Sequence, residues 1–313
     1  MFVGVDIGGT KIAAGLVDQN GVIISKRQIA TDVHLGFDHV VGTIAGLIEE
    51  LIKDGESDLI RVEAIGIGIP GITNPETGDV ERCINLHWDQ VPLKRFLEAN
   101  FNRPIAIAND ATVAGVAEFM IAQEKRFENA VFLTLGTGIG GSVLVNGNII
   151  SGVHGIASEI GHMVVGENFY DCNCGRNGCL ETFASSTAIL RYANKNKYEG
   201  VQSSIFKDSL DVTSGAVIFE EAKNGDALAL ETVDRMVKYL AIGMMNIITI
   251  IDPEVIILGG GLSEAGEFLS HRLNLALKNY RYYPSVETPK VEIAKLKNDA
   301  GIIGAAIYAK MLL

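Results

Sequence analysis

The chain has 313 residues, of which 48% are hydrophobic and 20% charged, and this balance is typical of a globular protein. Its length accommodates two modest domains or one large domain, and we favour two. The net charge of -12 argues against a nucleic-acid partner, because an acidic chain repels a phosphate backbone.

The sequence also argues against membrane insertion and secretion. The uncharged stretch from Tyr239 to Ile251 is shorter than the roughly 20 residues that a membrane helix needs, so it predicts a buried helix. No basic segment followed by an apolar one stands at the N-terminus. Three of the four cysteines lie between Cys172 and Cys179, unlike the spread framework of a secreted protein. We therefore predict a cytoplasmic protein without a membrane partner.

The first half of the chain predicts strands and helices in alternation. Two strands flank a glycine-rich turn at residues 7–11, and a third follows a turn at residues 18–21. Asn109 and Asp110 stand between a buried strand and a helix. The predicted strands are Phe2–Asp6, Ile12–Val17, Val22–Ser25, Val62–Ile69 and Ile105–Ala108, and the predicted helices are Phe37–Leu51 and Ala111–Ala122.

The second half repeats the opening arrangement of strand, glycine turn and strand. This repeat occupies residues 130–145, with its turn at 136–141, and it indicates a duplicated fold. A long helix further on is ended by Pro253. The predicted strands are Ala130–Leu135, Ser142–Val145 and Val255–Leu258, and the predicted helices are Val217–Lys223, Ala227–Ile251, Ser263–Leu277 and Ala300–Met311.

Two segments match the dinucleotide pattern G-x-G-x-x-G, but neither has the structural context that the pattern requires. Residues 136–141 are followed by a strand, and residues 66–71 contain Pro70 and lead into a turn. The dinucleotide mechanism needs a helix N-terminus directly after the glycines, so we reject both matches. A P-loop is excluded as well, because the chain contains no Gly-Lys dipeptide.

A glycine hairpin turn can still bind phosphate, because successive backbone N–H groups form a concave nest for an anion. A single such turn is more often only a tight hairpin. The first turn, however, is preceded by Asp6 and followed by Thr10 and Lys11. These residues supply a carboxylate for Mg²⁺, a hydroxyl donor and a cation for phosphate, although Lys11 could equally be a solvated strand residue.

One histidine and three cysteines predict a structural zinc site. His162, Cys172, Cys174 and Cys179 supply an imidazole and three thiolates, which is a complete tetrahedral set that leaves no position open for a catalytic water. The C-x-C-x4-C spacing is not the common finger spacing. Reduced thiols in a core or an oxidised pair are the alternatives, but the residues between the cysteines are too polar for a core.

The glycine turns, taken in order along the chain, resemble those of the ROK family of sugar kinases. The resemblance rests on residues 6–11, 136–141 and 252–261, it covers nearly the whole chain, and it is greatest to the bacterial glucokinases of that family. It implies an α/β fold of two actin-like (ribonuclease H-like) lobes with a ligand cleft between them. The smaller lobe would contain residues 1–110 and the C-terminal helix 299–313, and the larger lobe residues 111–298 with the zinc loop.

The resemblance also implies roles for individual residues, with a hexose and ATP as substrates, Mg²⁺ bound with ATP, and structural Zn²⁺. Asp110 would accept the proton of the sugar 6-hydroxyl, although without the resemblance helix capping by Asn109 or Asp110 explains this pair equally well. The ATP-binding residues would be Gly8, Gly9, Thr10, Lys11, Gly136, Thr137, Gly138, Gly140, Gly259, Gly260 and Gly261, with Asp6 at Mg²⁺. The sugar-binding residues would be Asn109, Asp110, Glu159, His162 and Glu181, and the zinc ligands His162, Cys172, Cys174 and Cys179.

Several alternatives stay open at the level of sequence. Some members of the family are repressors with a helix-turn-helix segment, for which the five residues before Asp6 leave no room, and a sugar sensor without catalysis is a further alternative. N-acetylglucosamine, N-acetylmannosamine, fructose and mannose are alternative substrates to glucose, and the segment Asn85–Trp88 favours glucose. Polyphosphate is an alternative phosphoryl donor to ATP. A homo-oligomer, dimer or tetramer, is expected from the family.

Overall fold

The computed structural model describes residues 1–57, 61–122, 127–207 and 210–313, which form a mixed α/β protein. The first eight strands are β1 (Phe2–Ile7), β2 (Lys11–Val17), β3 (Ile23–Ala30), β4 (Ala64–Ile69), β5 (Ile72–Thr73), β6 (Val80–Cys83), β7 (Trp88–Val91) and β8 (Ile105–Asn109). The helices among and after them are α1 (Phe37–Ser57), α2 (Leu93–Glu98) and α3 (Asp110–Ala117).

The second half of the chain contributes five further strands and six helices among the described residues. The strands are β9 (Ala130–Leu135), β10 (Ile139–Val145), β11 (Asn148–Ile149), β12 (Val255–Gly259) and β13 (Lys290–Ile293). The helices are α4 (Glu181–Ala184), α5 (Ser186–Tyr198), α6 (Gly215–Lys223), α7 (Ala227–Ile251), α8 (Glu267–Tyr280) and α9 (Ala300–Met311).

Two five-stranded sheets share one plan, which confirms the duplication that the sequence predicts. The first has the order β3-β2-β1-β4-β8, and the second has the order β11-β10-β9-β12-β13. In the first sheet β1 pairs antiparallel with β2 and parallel with β4. In the second sheet β12 pairs parallel with both β9 and β13. A small antiparallel sheet of β5, β6 and β7 completes the β structure of the described residues.

The predicted elements exist, but some begin or end elsewhere. Helix α1 extends to Ser57, and α8 starts at Glu267 rather than Ser263, after a 3-10 turn that lies between Gly260 and Gly266. Both glycines have positive φ angles, of 80° and 63°, which interrupt a regular helix. The helix predicted to reach Ala122 changes to a π turn at Glu118, where the buried carboxylate accepts backbone N–H groups from residues 295 and 296.

The chain forms two compact units. Unit 1 contains residues 1–127, 142–158 and 295–313, and unit 2 contains residues 128–141 and 159–294. The C-terminal helix α9 therefore belongs to the same unit as β1. The lobe boundaries that we predict after residues 110 and 298 remain a prediction. No helix among the described residues has both the length and the apolar character needed to cross a membrane.

Helix α9 packs backbone to backbone within unit 1, because glycines stand at the contacts. A Cβ atom at Gly66 on β4 would lie 1.8 Å from the carbonyl oxygen of Ala305, and one at Gly4 on β1 would lie 2.0 Å from that of Ile302. On the other side, a Cβ atom at Gly304 would lie 1.7 Å from the carbonyl oxygen of Val113 in α3. These contacts fix the N-terminal turn of α9 close to the ends of β1 and β8.

Gly66→Ala is expected to destabilise the protein by about 2–3 kcal/mol, because the new methyl group overlaps the backbone of α9. Gly46→Ala is the matched control, since Gly46 is an exposed residue of helix α1 and a Cβ atom there has open space around it. The control is expected to gain about 0.5–1 kcal/mol from the lower flexibility of the unfolded chain. Urea unfolding of both variants measures these changes; equal midpoints would refute the close-packing argument.

Candidate active site

The first glycine turn joins β1 to β2 in unit 1. The backbone N–H of Gly8 donates to the carbonyl oxygen of Lys11 at 2.8 Å, and the hydroxyl of Thr31 donates to the carbonyl oxygen of Gly8 at 2.6 Å. Thr10 and Lys11 are exposed. A Cβ atom at Gly9 would lie 3.4 Å from the Cβ of Asn85, so the Asn85–Trp88 segment adjoins this turn. The turn therefore offers an open backbone surface of the kind that binds phosphate.

Asp6 lies against the N-terminal turn of α9. A Cβ atom at Gly301 would lie 2.5 Å from both Cγ and Oδ2 of Asp6, so the carboxyl group occupies the space that a side chain at position 301 would fill. Sequence reasoning missed Gly301. The available signal was a glycine inside a predicted helix. Glycine there lowers helix stability by about 1 kcal/mol relative to alanine, which indicates that close packing requires it.

Asp6 and Asp110 form a pair of neighbouring carboxyl groups, which we call the carboxylate pair. Burial, and secondarily the charge of Asp110, raise the pKa of Asp6 to about 6, against opposing effects of Lys11 and Lys26. Burial also raises the pKa of Asp110, although the backbone N–H of Ala111 donates to its Oδ1 at 2.8 Å and acts in the opposite direction. Two carboxyl groups that resist ionisation together are suited to a divalent cation, and oxygen ligands are those that Mg²⁺ prefers.

Asn109 caps helix α3. Its Oδ1 accepts the backbone N–H of Ala111 at 2.9 Å and that of Thr112 at 3.3 Å, and its Nδ2 donates to the carbonyl oxygen of Gly71 at 3.0 Å. The capping interpretation left open by the sequence is therefore correct for Asn109. The cap orients the first turn of α3, in which Asp110 is the first residue.

The other two glycine turns adjoin each other in unit 2. A Cβ atom at Gly260 would lie 2.6 Å from the backbone of Leu135, immediately before the turn that contains Gly136, Thr137 and Gly138. Gly140 follows within β10, while Gly259 ends β12 and Gly261 is exposed beside it. Helix α5 supports the second turn, since the N–H of Ser186 donates to the carbonyl oxygen of Gly136 at 2.8 Å.

The predicted zinc ligands lie together in unit 2. One ligand atom from each of His162, Cys172, Cys174 and Cys179 lies within 4.8 Å of all the others. The Sγ atoms of Cys174 and Cys179 are 3.5 Å apart, and Sγ of Cys172 is 3.6 Å from Nδ1 of His162. Two sulfurs on one tetrahedral zinc would be about 3.8 Å apart, so the spacing and the donor set fit this ion.

Two carboxylates flank the histidine of this cluster. Oε2 of Glu159 is 4.0 Å from Nε2 of His162, and Oε1 of Glu181 is 3.7 Å from Nδ1 and 2.9 Å from Sγ of Cys172. A Cβ atom at Gly138 would lie 2.7 Å from Oε2 of Glu181, so the second glycine turn also adjoins this group. With Nδ1 on a metal, Nε2 would carry the ring proton, on the side of the imidazole that faces Glu159.

Sequence reasoning also missed the polar residues behind Glu181. The carbonyl oxygen of Thr182 accepts hydrogen bonds from Nδ2 of Asn168 at 2.7 Å and from the hydroxyl of Tyr170 at 2.8 Å. Asparagine and tyrosine in a loop carry no pattern that points to this carbonyl. A concavity of about 140 Å³ opens here, lined in part by Thr137, Gly138, Cys172 and Glu181.

Cys174→Ala is expected to lower the zinc content to well below that of the wild type and to reduce the melting temperature, because three ligands cannot close the tetrahedral set. Metal analysis by mass spectrometry and thermal unfolding check this. Cys83→Ala is the matched control, because Cys83 is a buried free thiol outside the cluster and its loss should leave the zinc content unchanged. Full zinc occupancy in Cys174→Ala would exclude it as a ligand.

Asp6→Asn is expected to stabilise the protein in Mg²⁺-free buffer above pH 6. The pKa of Asp6 is 3.8 ordinarily and about 6 in the folded chain, so between these values the folded chain binds more protons than the unfolded one. Wild-type stability therefore falls as the pH rises from about 4 to about 6, by at most about 3 kcal/mol. Urea midpoints from pH 4 to 8 should diverge up to pH 6 and then stay apart; identical curves would contradict the assignment.

Sequence comparison identifies relatives along the whole chain. A model of the ROK family matches residues 2–311. A glucokinase of Halalkalibacterium halodurans is 36% identical over 315 residues, covering 99% of this chain and 94% of the relative. A glucokinase of Thermotoga maritima is 38% identical over 312 residues, with coverages of 99% and 97%. An N-acetylmannosamine kinase of Haemophilus influenzae is 34% identical over 314 residues, with coverages of 98% and 95%.

Solved structures agree with these relatives. The ROK hexokinase from Thermus thermophilus superposes with a TM-score of 0.85 at 31% identity, covering 99% of this chain and 98% of that one. A ROK family glucokinase from Streptomyces griseus, in complex with glucose and AMPPNP, gives 0.81 at 30% identity, with 99% of each chain covered. The predicted actin-like, ribonuclease H-like fold is confirmed. The chain belongs to the ROK family.

Proposed function

We propose that this protein is an ATP-dependent sugar kinase that transfers a phosphoryl group to the 6-hydroxyl of glucose. Two relatives of at least 36% identity are named glucokinases, and each aligns over 99% of this chain. The Streptomyces griseus structure contains glucose together with an ATP analogue. These comparisons support a hexose and ATP as the substrates and a kinase as the enzyme class.

The position and burial of Asp110 are the observation that supports the proposed chemistry. Asp110 is the first residue of α3, its carboxyl group is largely enclosed, and burial raises its pKa above the ordinary value. In its ionised form it would accept the 6-hydroxyl proton while the oxygen attacks the terminal phosphorus of ATP. A loose phosphoryl-transfer transition state needs an oriented alcohol more than a strong base, and Asn109 has a second amide N–H left to bind the sugar.

The glycine turns are proposed to bind ATP. Gly8, Gly9, Thr10 and Lys11 are proposed to contact the phosphates, and so are Gly136, Thr137, Gly138 and Gly140, while Gly259, Gly260 and Gly261 would adjoin the adenosine. Bound Mg²⁺ would neutralise charge on the phosphates. Asp6 is the proposed ligand of this ion or of its waters, which is consistent with its position in the carboxylate pair.

Glu159, Glu181 and His162 are proposed to bind the sugar hydroxyls. Carboxylates that accept hydrogen bonds from hydroxyls provide directional recognition, and a buried acceptor left unpaired by the wrong sugar penalises it. Structural Zn²⁺ held by His162 and the three cysteines would fix the loop that precedes Glu181. The proposed role of the metal is therefore indirect. Homo-oligomerisation and a cytoplasmic location remain predictions.

A second candidate substrate is N-acetylmannosamine. The Haemophilus influenzae kinase for this sugar is nearly as similar to the chain as the glucokinases are. Both sugars present a 6-hydroxyl, and they differ in the substituent and configuration at C2. The roles of Asp110 and of the glycine turns are the same for either, so only the pocket around C2 decides between them.

A coupled assay of ADP release tests the proposal across glucose, mannose, fructose, N-acetylglucosamine and N-acetylmannosamine, and release of glucose 6-phosphate is measured with ATP or polyphosphate as donor. We expect the highest kcat/KM for glucose with ATP.

Asp110→Asn is expected to lower kcat by about two to four orders of magnitude while keeping glucose affinity, measured by calorimetry, since the general base alone is lost.

Asp38→Asn is the matched control for that substitution. Asp38 is likewise in the first turn of a helix, α1, but it is exposed and lies outside the glycine turns and the carboxylate pair. Its kcat should equal that of the wild type. A near-normal kcat in Asp110→Asn would refute the role of Asp110, and turnover of N-acetylmannosamine above that of glucose would replace the proposed substrate.

A further inference from the structure

Arg235 on α7 is a half-buried cation surrounded by aromatic rings. Its guanidinium carbon lies 4.8 Å from the ring centroid of Phe183, 4.6 Å from that of Tyr192 and 5.3 Å from that of Tyr239. Phe183 and Tyr239 also stack on each other at 3.8 Å. No carboxylate of the described residues lies within ion-pair distance of Arg235. Burial lowers its pKa, which means that withdrawing the positive charge from water costs free energy. A partner of the guanidinium must offset that cost.

The hydrogen bond of Arg235 is directed at the loop that leads to the zinc cluster. Its Nη2 donates to Oδ1 of Asn168 at 2.9 Å. Nδ2 of Asn168 donates in turn to the carbonyl oxygen of Thr182 at 2.7 Å. Thr182 directly follows Glu181 in α4, and Cys179 lies two residues before Glu181. Arg235 is therefore two hydrogen bonds away from the backbone that carries a proposed sugar ligand and a proposed zinc ligand.

Asn168 is also joined to the loop itself. Its backbone N–H donates to Oδ1 of Asn177 at 2.8 Å, and Nδ2 of Asn177 donates back to the carbonyl oxygen of Asn168 at 3.0 Å and to Oδ1 of Asp171 at 2.8 Å. We call Arg235, Asn168, Asn177 and Thr182 the Asn168 network. Its hydrogen bonds involve three segments, namely residues 168–177, α4 and α7, and none of them requires the metal.

A purely structural role would explain the ring contacts but not the whole arrangement. Arg272 on α8 shows what such a role looks like, since its guanidinium lies 3.8 Å from the ring centroid of Phe268 and its Nε lies 3.8 Å from Asp234. An apolar side chain could fill the space between the rings around Arg235. The planar guanidinium adds a donor that the rings hold in one orientation, and a donor of fixed direction is what a positioning role requires.

We propose that Arg235 is a positioning residue for sugar recognition: through Asn168 it holds the carbonyl group of Thr182, and thereby sets the position of Glu181 against the sugar. The inference rests on the proposed function, because Glu181 matters only if the protein binds a sugar there. Zinc and the Asn168 network then both hold the short helix α4 in place, zinc through Cys179, which precedes the helix, and the network through Thr182 within it.

The full-length, zinc-loaded protein tests this with Arg235→Met, which fills the space between the rings without a donor. We expect the KM for glucose to rise about tenfold, the change typical when a supporting residue behind a ligand is lost. The kcat and the KM for ATP should stay within about twofold of the wild type. Arg272→Met is the matched control, because it also removes an arginine from an aromatic ring, and all three constants should be unchanged.

Asn168→Asp separates positioning from stability. Aspartate keeps an acceptor for Arg235 and adds an ion pair with it, but it has no N–H to donate to Thr182. This variant should keep the melting temperature of the wild type and yet raise the KM for glucose as Arg235→Met does. If Arg235→Met fails to fold, Asn168→Asp still tests the proposal. A wild-type KM for glucose in Asn168→Asp, or a lower melting temperature as the sole effect of Arg235→Met, would overturn the proposal.

Zinc release to a chromogenic chelator gives a readout that does not depend on kinase activity. Both variants should release zinc faster than the wild type and Arg272→Met, because Cys179 lies only two residues before α4, whose position the Asn168 network fixes. If the wild type phosphorylates no hexose, the proposed function fails, while faster release would still support the role of the Asn168 network. If glucose is phosphorylated and release rates and KM values all match the wild type, the inference alone is wrong.

Discussion

The close contact between α9 and its neighbours is the constraint on which unit 1 depends. Glycines at positions 4, 66 and 304 allow backbones to approach to distances that no side chain would permit, and Gly301 leaves room for the carboxyl group of Asp6. The N-terminal turn of α9 thereby reaches Asp6 at the end of β1, and α3 is held against α9 with Asp110 at its first residue. Both carboxyl groups are thus largely withdrawn from solvent, and this burial raises the pKa of each.

Unit 2 holds its proposed sugar-binding and zinc-binding side chains in a different way. The polar loop that contains the three cysteines has too few apolar residues to fold by burying them. The cluster of His162 with these cysteines and the Asn168 network hold the loop in place instead. Glu181 lies where they meet, with Cys172 and His162 on one side and Gly138 on another. A short helix of four residues has little stability of its own, so its position depends on these contacts.

The proposed reaction assigns a distinct electrostatic task to each group. Backbone N–H groups of the glycine turns suit phosphate anions, the carboxylate pair suits a divalent cation, and Asp110 suits the proton of an alcohol. The net charge of -12 does not oppose ATP binding, because local N–H groups and the cation decide the potential at the phosphates rather than the charge of the whole chain. Substrate choice among hexoses depends on fewer contacts, around C2 of the sugar.

The sequence by itself determined the duplicated α/β plan, the boundaries of α7 and α9, and the grouping of His162 with the three cysteines. These depend on local signals, namely apolar periodicity, Pro253, and ligand types that zinc requires. Only the tertiary structure decided that Gly301 adjoins Asp6, that α3 passes into a π turn at Glu118, and that Arg235 reaches Thr182 through Asn168. Such contacts join residues far apart in the chain, and neither periodicity nor spacing encodes which distant backbone a side chain will meet.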